Sequence, residues 1–429
     1  MQFDGSAVAW VLASSALVLI MTPGIAFYYA GLTQAKHALS MLIQSFVVMG
    51  VVSLVWILVA YSLAFGKGNY LIGDLHFAGL LHMDEKVPGF DSDPMKIPQL
   101  VYVIFQMMFA VITPALITGA TVGRWRFEAF VSFIVLWSVF VYAPIAHWVF
   151  SPTGFAWHIL KDTHVLDFAG GTVVHANSGA AALAMALVLG PRRGDAKENM
   201  ERHNMPLVML GTTLLWFGWF GFNAGSALKP DLVAATAFLN TNSATAAALL
   251  TWVLVERISS GKATAFGAAS GAVAGLIAIT PCAGYIGPLE AIVVGIVAAL
   301  VCTLAIRVKD QLHYDDALDV AGLHLAGGMI GSLCVGLFAA LKVNRAEGAD
   351  GLFHGGGFKQ LIVQAIVVVA VVAYSFAVTY VIGRVLKFAF QGRDTVSEDQ
   401  EKDGLDLSLH GESAYVGIYS SVTPADKDD

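Results

Sequence analysis

Two histidines occupy related positions in two apolar segments of the chain. His175 follows Asp167 by eight residues, and His324 follows Asp319 by five. In a helix these separations are about 12 Å and about 8 Å along the axis. Imidazole groups bind and transfer protons near neutral pH, and a polar group inside a bilayer tends to face a cavity because lipid burial is costly. Either histidine alone could be a structural residue bonded to a neighbouring helix, but the matched pair favours a pore.

Aromatic side chains cluster near the ends of similar segments. Phe105 and Phe109 are four residues apart and share one helical face, while Trp219, Phe222 and Ser226 share a face of another helix. Such stripes usually reflect packing or an interfacial belt of aromatic residues. Their ring faces could also bind a cation, with a hydroxyl group accepting its hydrogen bond. The spacing alone favours packing.

Asp167 opens the segment Asp167-Phe168-Ala169-Gly170, which leads to His175. A carboxylate suits the first turn of a helix because it accepts hydrogen bonds from unpaired amides and interacts favourably with the helix dipole. Direct contact with a substrate cation is the second interpretation, and the two are compatible. The histidines have no carboxylate or thiol at metal-ligand spacing, and no activated nucleophile is evident. The pattern therefore predicts neither an enzyme nor a cofactor.

The composition of the chain is that of a membrane protein. Of 429 residues 57% are hydrophobic and 13% charged, whereas a typical soluble protein has about 25% charged residues. Three stretches without Asp, Glu, Lys or Arg exceed the roughly 20 residues of a spanning helix, namely 129–160, 168–191 and 205–228. We therefore predict an all-α integral membrane protein with eleven transmembrane helices. The predicted spans are 7–30, 41–65, 98–122, 127–149, 168–190, 206–227, 231–255, 263–281, 285–306, 317–341 and 359–387.

The distribution of basic residues predicts the orientation. With the N-terminus outside, the inner loops and the C-terminal tail hold 16 of the 24 Lys and Arg residues, and the outer loops hold 8. The cluster of Arg192, Arg193, Lys197 and Arg202 then lies inside. Because loops rich in Lys and Arg stay on the cytoplasmic side, we expect the N-terminus outside and the C-terminus in the cytoplasm.

The two histidine segments also indicate an internal repeat. Asp167-Phe168-Ala169-Gly170 opens the fifth predicted span and Asp319-Val320-Ala321-Gly322 opens the tenth, so the two enter the membrane from opposite faces. We predict an inverted repeat of helices 1–5 and 6–10 followed by a C-terminal helix, with the pathway near the midplane. Residues 1–388 form the transmembrane domain, and residues 389–429 form a polar cytoplasmic tail too short for an enzymatic domain.

At these residues the chain strongly resembles the Amt/Mep/Rh ammonium transporter family, specifically its bacterial Amt branch. The resemblance extends over nearly the whole chain, and its motifs occur in the expected order. They are Asp167-Phe168-Ala169-Gly170-Gly171-Thr172-Val173-Val174-His175, Gly218-Trp219-Phe220-Gly221-Phe222-Asn223-Ala224-Gly225-Ser226, Thr280-Pro281-Cys282-Ala283-Gly284-Tyr285-Ile286, Asp319-Val320-Ala321-Gly322-Leu323-His324, and, in the tail, Gly404-Leu405-Asp406 and His410-Gly411-Glu412.

The resemblance implies a homotrimer in the inner (plasma) membrane, in which each protomer has eleven helices and its own pore. Phe109 and Phe222 would stack as a gate, and below them His175 and His324 would be hydrogen-bonded to each other. Asp167 would be a structural carboxylate that supports the outer recognition site. The substrate-binding residues of that site would be Phe105, Phe109, Phe150, Asp167, Trp219, Phe222, Ser226 and Thr280.

One position departs from the family pattern. A tryptophan usually follows the Ala-His pair at the end of the fourth span, whereas Ala146-His147-Trp148-Val149-Phe150 places Phe150 there. Phenylalanine offers a cation a weaker ring face than tryptophan does. The stretch up to Asp167 is also several residues longer than usual, and Trp157 within it is a candidate to compensate.

The function implied by the resemblance is transport of ammonium, with methylammonium as an analogue. The cation would bind at the outer aromatic site, lose its proton and cross as ammonia, with or without the proton, through a hydrophobic pore lined by the twin histidines. The alternative is an ammonium sensor of the same fold that signals through a cytoplasmic partner, although such members typically carry a fused signalling domain. The tail resembles those that act with PII-type signalling proteins, so a PII-type partner is expected and a nucleic acid is not.

Overall fold

The computed structural model of the chain describes residues 3–83, 97–193, 202–312 and 314–415. Its regular secondary structure within these residues is helical, and ten helical segments are long and apolar enough to cross a membrane, with an eleventh, shorter apolar helix. We number the eleven segments α1 to α11 in chain order. They are Gly5–Leu32, Ala35–Phe65, Gln99–Ala120, Phe127–Trp157, Gly171–Leu189, Met205–Gly225, Leu232–Ser260, Ala265–Ile279, Pro288–Lys309, Ala321–Phe338 and Lys359–Ala389.

The prediction of an all-α membrane protein with eleven spans is confirmed, and the boundaries differ by a few residues. The regular helix of α8 ends at Ile279 because Pro281 has no N–H group with which to continue the helical hydrogen bonds. In α4 the regular helix ends at Phe150, and the chain then folds back through a turn and a short 3₁₀ turn, Phe155–Trp157.

Helices at equivalent places in the two halves pack against each other. The second part of α1 packs along α6, and α5 packs against α10. The chain enters α5 and α10 through wide helical turns, Gly171–Ala176 and Ala321–Leu325, which carry one histidine each. Such wide turns are rare in helices and are frequent at functional sites. The inverted repeat predicted from the sequence is therefore present in the packing as well as in the order of the helices.

Two glycines allow α5 and α10 to touch where they cross. A Cβ atom on Gly179 would lie closer than 3.0 Å to the main chain of Leu325, and one on Gly328 would lie equally close to the main chain of Ala176. Each glycine is four residues after a histidine of its own half and meets the residue after the histidine of the other half. The contact is thus reciprocal, and it brings the two histidines together.

The segment after α11 packs on the ends of the membrane helices, and we call this side of the molecule the tail face. It forms two short helices, α12 (Glu398–Asp403) and α13 (Leu405–His410). The Asp406 carboxylate accepts hydrogen bonds from the amides of Leu39 and Ser40 at the start of α2, at 3.0 and 2.8 Å. Residues 416–429 of the predicted tail, and Lys197 of the predicted basic cluster, lie outside the described residues.

Candidate functional site: a buried histidine pair beneath an aromatic pocket

The first half of the site is organised by one carboxylate. Asp167 accepts hydrogen bonds from four consecutive amides, those of residues 170–173, at 2.6 to 3.2 Å. Gly170 makes the tight approach possible with a φ of 100°, which a residue with a side chain rarely adopts. The capping interpretation of Asp167 therefore describes the geometry, and the carboxylate fixes the turn that leads to His175.

The second half uses a carboxylate that the sequence motif did not indicate. The Asp316 side chain accepts hydrogen bonds from the amides of Val320 and Ala321, at 3.1 and 2.7 Å. Asp319, which the internal repeat in the sequence paired with Asp167, instead forms an ion pair with Lys309. The equivalent carboxylates are therefore Asp167 and Asp316, because each caps the wide turn that follows it. A signal for this existed, since each lies eight residues before the histidine of its half.

The two histidines meet in the interior. Their Nδ1 atoms are 3.2 Å apart, so one ring donates a hydrogen bond and the other accepts it. Both side chains are buried, with 2% of their surface exposed. The Nε2 atom of His175 has no hydrogen-bond partner among the described residues, which is costly for a buried polar atom. An imidazole nitrogen that is held in place and left unpaired is suited to bind a small polar molecule.

Aromatic rings cover the histidine pair on the side away from the tail face. Trp219 stacks on His175 with ring centroids 5.2 Å apart, and its indole N–H donates to the hydroxyl of Thr280 at 2.8 Å. Phe222 lies 6.1 Å from the His175 ring and 4.3 Å from the ring of Phe109. Phe109 and Phe222 are almost fully buried.

Above this ring contact lies a partly open pocket with a volume of about 100 Å³. Of the residues expected at an outer site, Phe105, Phe109, Phe150, Asp167 and Ser226 line it. The Ser226 hydroxyl donates to the carbonyl of Phe222 at 2.8 Å, which leaves its lone pairs available. The other lining residues are Tyr102, Gln106, Val149, Trp157, His164, Val165, Phe168, Leu228, Tyr285 and Glu347.

The remaining three expected residues lie deeper than this pocket. Trp219, Phe222 and Thr280 do not line it, and they pack beside His175 or hydrogen-bond to its neighbours. His164 and Glu347 were not anticipated, because they come from loops whose approach to the pocket no local pattern encodes. Within the part of the chain that the structure describes, no group of three or more His, Cys, Asp or Glu residues could hold a metal ion.

Comparison with known proteins identifies the family. The sequence profile of the Ammonium Transporter Family matches residues 9–415. The chain belongs to this family. An ammonium transporter of Mycobacterium tuberculosis is 47% identical over 435 aligned residues, which cover 96% of this chain and 90% of that protein. An ammonium transporter of Bacillus subtilis is 46% identical, covering 93% of this chain and 96% of that protein.

Solved structures of family members have the same fold. The crystal structure of Candida albicans Mep2 superposes with a TM-score of 0.84 at 35% identity, covering 93% of this chain and 88% of that one. A structure described as a sensor Amt protein gives 0.83 at 30% identity, covering 94% and 98%. The chain is thus a multi-pass membrane protein of an ammonium transporter family, and a transporter rather than an enzyme.

On the tail face, an ion cluster adjoins the second capping carboxylate of this transporter. The Asp315 carboxylate accepts three hydrogen bonds from Arg192, one from its amide at 2.8 Å and two from its guanidinium at 2.9 and 2.5 Å, and lies 3.3 Å from Arg124. Burial raises the pKa of Asp315, but the two arginines outweigh it and hold the pKa at about 2. Burial and the charge of Asp319 raise the pKa of Asp316 to about 6, against opposing amide hydrogen bonds. Neighbouring carboxyl groups thus titrate in different ranges.

Proposed function

We propose that the chain binds ammonium in the pocket on the face opposite the tail, removes a proton and conducts ammonia past His175 and His324. The observation that carries this proposal is the buried histidine pair directly beneath the Phe109–Phe222 contact. The pocket supplies aromatic faces and carboxylates for a cation, whereas the path below is lined by rings and two imidazoles. The lining therefore changes from groups that suit a cation to groups that suit a neutral molecule, at the level where ammonium would lose its proton.

The change in lining matches the physics of the substrate. Moving an ammonium ion into an apolar interior costs many kcal/mol in lost hydration, and moving neutral ammonia costs far less. Potassium has a similar size but no proton to release, so a dry aromatic barrier excludes it. The imidazoles offer a lone pair and an N–H group to ammonia, and they are plausible carriers if the proton crosses as well.

Reconstituted protein tests this function. In liposomes, an ammonium gradient should produce a lumenal pH change or a current that an equal potassium gradient does not produce. His175→Glu should admit potassium, because a fixed negative charge in the path stabilises a cation that the neutral imidazole does not. His158→Ala is the matched control, since His158 is an exposed histidine of the loop after α4. Normal flux and full potassium exclusion in His175→Glu would contradict the proposed role of the pair.

The sensor alternative has one observation in its favour, the fold similarity to the sensor Amt protein. It predicts that purified protein binds ammonium or methylammonium but transports neither. The same liposomes decide between the two, because binding can be measured by calorimetry on the sample that is used for flux.

For the orientation we propose the N-terminus outside and the C-terminus in the cytoplasm of a cell bounded by the inner (plasma) membrane. The basic residues Arg124, Arg192 and Arg193 lie on the tail face, as positively charged cytoplasmic loops would. Reporter fusions after Arg193 and after Lys229 should report the cytoplasmic and the outer side respectively. The same side for both would refute the topology.

We also propose a homotrimer, and the lipid-facing surface of α7 supports it. Asn242 lies in the middle of this span, and its residue surface is exposed. An amide exposed to hydrocarbon is unfavourable, so a neighbouring protomer that covers it stabilises the protein. Crosslinking or native mass spectrometry should find trimers. Asn242→Leu should leave the fold of the protomer intact, so a change in the amount of trimer would report on contacts between protomers and not on folding. A monomer in gentle detergent and in membranes would contradict this proposal.

Finally, we propose that the tail couples the pore to other protomers or to a PII-type partner. Glu401 of α12 accepts a hydrogen bond from the amide of Arg193, next to the Arg192–Asp315 pair. Asp315 adjoins Asp316, which caps the turn leading to His324. Three hydrogen bonds therefore connect the tail to the turn that carries His324: Glu401 to Arg193, Arg192 to Asp315, and Ala321 to Asp316. Deleting the residues after Lys387 should lower flux while the protein still reaches the membrane, and unchanged flux would reduce the tail to a linker.

A further inference from the structure

The chain folds back beside the pocket after the regular helix of α4 ends at Phe150. Beyond Phe150 the chain turns at Ser151–Gly154 and makes the 3₁₀ turn Phe155–Trp157. The indole N–H of Trp157 donates to the carbonyl of Val149 at 2.9 Å. This bond ties the indole to the residue directly before Phe150, and both aromatic rings line the pocket.

A second ring fixes the plane of this indole. His164 stacks flat on Trp157, with centroids 4.4 Å apart and an interplanar angle of 4°. The loop that carries His164 is itself anchored, because the His164 carbonyl accepts a hydrogen bond from the side chain of Gln360 at 3.0 Å. Burial lowers the pKa of His164, which favours the neutral imidazole beside the pocket.

The indole is the strongest cation-binding face in this pocket. Seven of its lining residues are aromatic, and Trp157 is the one tryptophan among them. A cation binds to the face of tryptophan more strongly than to that of tyrosine or phenylalanine. The carboxyl group of Asp167 is already used by four amides, whereas Glu347 comes from a separate loop and adds a second carboxylate to the wall.

We propose that Trp157 is the residue whose ring face binds the ammonium ion at the pocket, and that His164 is the positioning residue that holds this ring in place. The inference rests on the proposed function, since it assigns a specificity-determining residue to the same pocket. The capturing ring then comes from the 3₁₀ turn at the end of α4. The regular helix ends at Phe150, one residue after the carbonyl to which that ring is bonded.

The test compares a substitution that keeps a ring with one that removes it. In liposomes, Trp157→Leu should raise the ammonium concentration for half-maximal transport roughly tenfold, with the maximal rate retained, whereas Trp157→Phe should raise it only about threefold. Phe150→Trp in the Trp157→Leu background should restore most of the loss. His164→Ala should raise the ammonium concentration for half-maximal transport about threefold. His164→Phe, which keeps a flat ring stacked on the indole, should leave it unchanged.

The matched control is Trp148→Phe, because the Trp148 indole N–H bonds to the carbonyl of Leu71 and the ring does not line the pocket. Equal shifts for the Leu and Phe variants at position 157, or no shift in either, would overturn the inference while leaving the flux itself established. Absence of flux in the unmodified protein would instead refute the proposed function. Assembled protein is quantified in detergent for every variant, so the Trp157→Phe result stands if the Leu variant is not recovered.

Discussion

The two ends of the repeat share one mechanical plan and differ in their surroundings. At each end a carboxylate caps a wide turn, and a histidine follows it by eight residues. Around Asp167 the neighbours are aromatic rings of a small pocket, whereas around Asp316 they are charged groups, including the Arg192–Asp315 pair and the docked tail. The shared plan positions the histidines. Under the proposed function, the aromatic end binds the cation and the charged end responds to the tail.

The largest expected effect comes from breaking the shared plan at its centre. Gly328→Leu or Gly179→Leu would force a side chain into the main chain of the other half and separate the two histidines. We expect ammonium flux to fall roughly tenfold or more, or assembly to fail, since overpacking without room to relax is strongly destabilising. Gly50→Leu is the control, because nothing lies within 4 Å of a Cβ atom at that exposed position. Full flux from the Gly328 variant would mean that the crossing does not set the histidine geometry.

The next prediction compares the two caps directly. Asp167→Ala leaves four buried amides without their acceptor and Asp316→Ala leaves two. Loss of a cap costs about 0.5–2 kcal/mol, and buried amides left unpaired add to that. We therefore expect a larger fall in the thermal unfolding temperature for Asp167→Ala, measured in detergent by the fluorescence of the tryptophans. A larger fall for Asp316→Ala would show that the cap at the charged end contributes more to stability.

The buried carboxyl group at the charged end predicts a pH dependence of stability. The pKa of Asp316 is raised to about 6, so the folded state binds its proton more tightly than the unfolded state does. Protonation of this carboxyl group therefore stabilises the folded state at low pH. Its contribution to the free energy of unfolding, at most about 3 kcal/mol, is lost as pH rises from about 4 to about 6. Asp316→Asn should reduce that slope of unfolding temperature against pH by the share that Asp316 contributes.

The neighbouring carboxyl group provides the internal control for the pH experiment. The pKa of Asp315 is held at about 2, so its stabilisation is complete above pH 4 and is lost only as pH falls towards 2. Asp315→Asn should lower stability without changing the slope between pH 4 and pH 6. If both variants flatten the slope equally, the two groups titrate as one unit.

The smallest expected effect concerns the docking of the tail. Asp406→Ala removes the acceptor for two amides at the start of α2. A lost cap of about 1 kcal/mol corresponds to a roughly fivefold change in the docked population. We expect faster proteolysis of the tail and a modest decrease in flux, with unchanged amounts of protein in the membrane. Glu412→Ala, on the exposed stretch after α13, serves as the control, and equal protease sensitivity of the two variants would argue against a latch at Asp406.

Much of the architecture could be predicted because it depends on local properties of the chain. Long uncharged stretches fixed the spans to within a few residues, and the parity of the two motifs predicted that His175 and His324 approach from opposite faces. The wrong detail, Asp319 in place of Asp316, arose from matching residue letters. A carboxylate can cap a turn from four or five residues upstream, so the letter match did not settle the register.

What could not be predicted depends on contacts between distant segments. His164 and Glu347 reach the pocket from different loops, and neither carries a local pattern that reveals this. The contact between Phe109 and Phe222 was expected from the family resemblance alone, since spacing favoured simple packing. The order of depth along the path, with Trp219 and Thr280 below the pocket, required the three-dimensional structure.

The glycine crossing also limits how the two halves can diverge through mutation. Residues 179 and 328 each face the main chain of the other half, so a change in one copy of the repeat is felt by both. The contacts of the tail, in contrast, involve other residues, such as Asp406 with Leu39 and Ser40. The two ends of the repeat therefore differ, with an aromatic pocket at one and charged groups and the tail at the other. At the few central atoms where the halves touch, a change in one half requires a compensating change in the other.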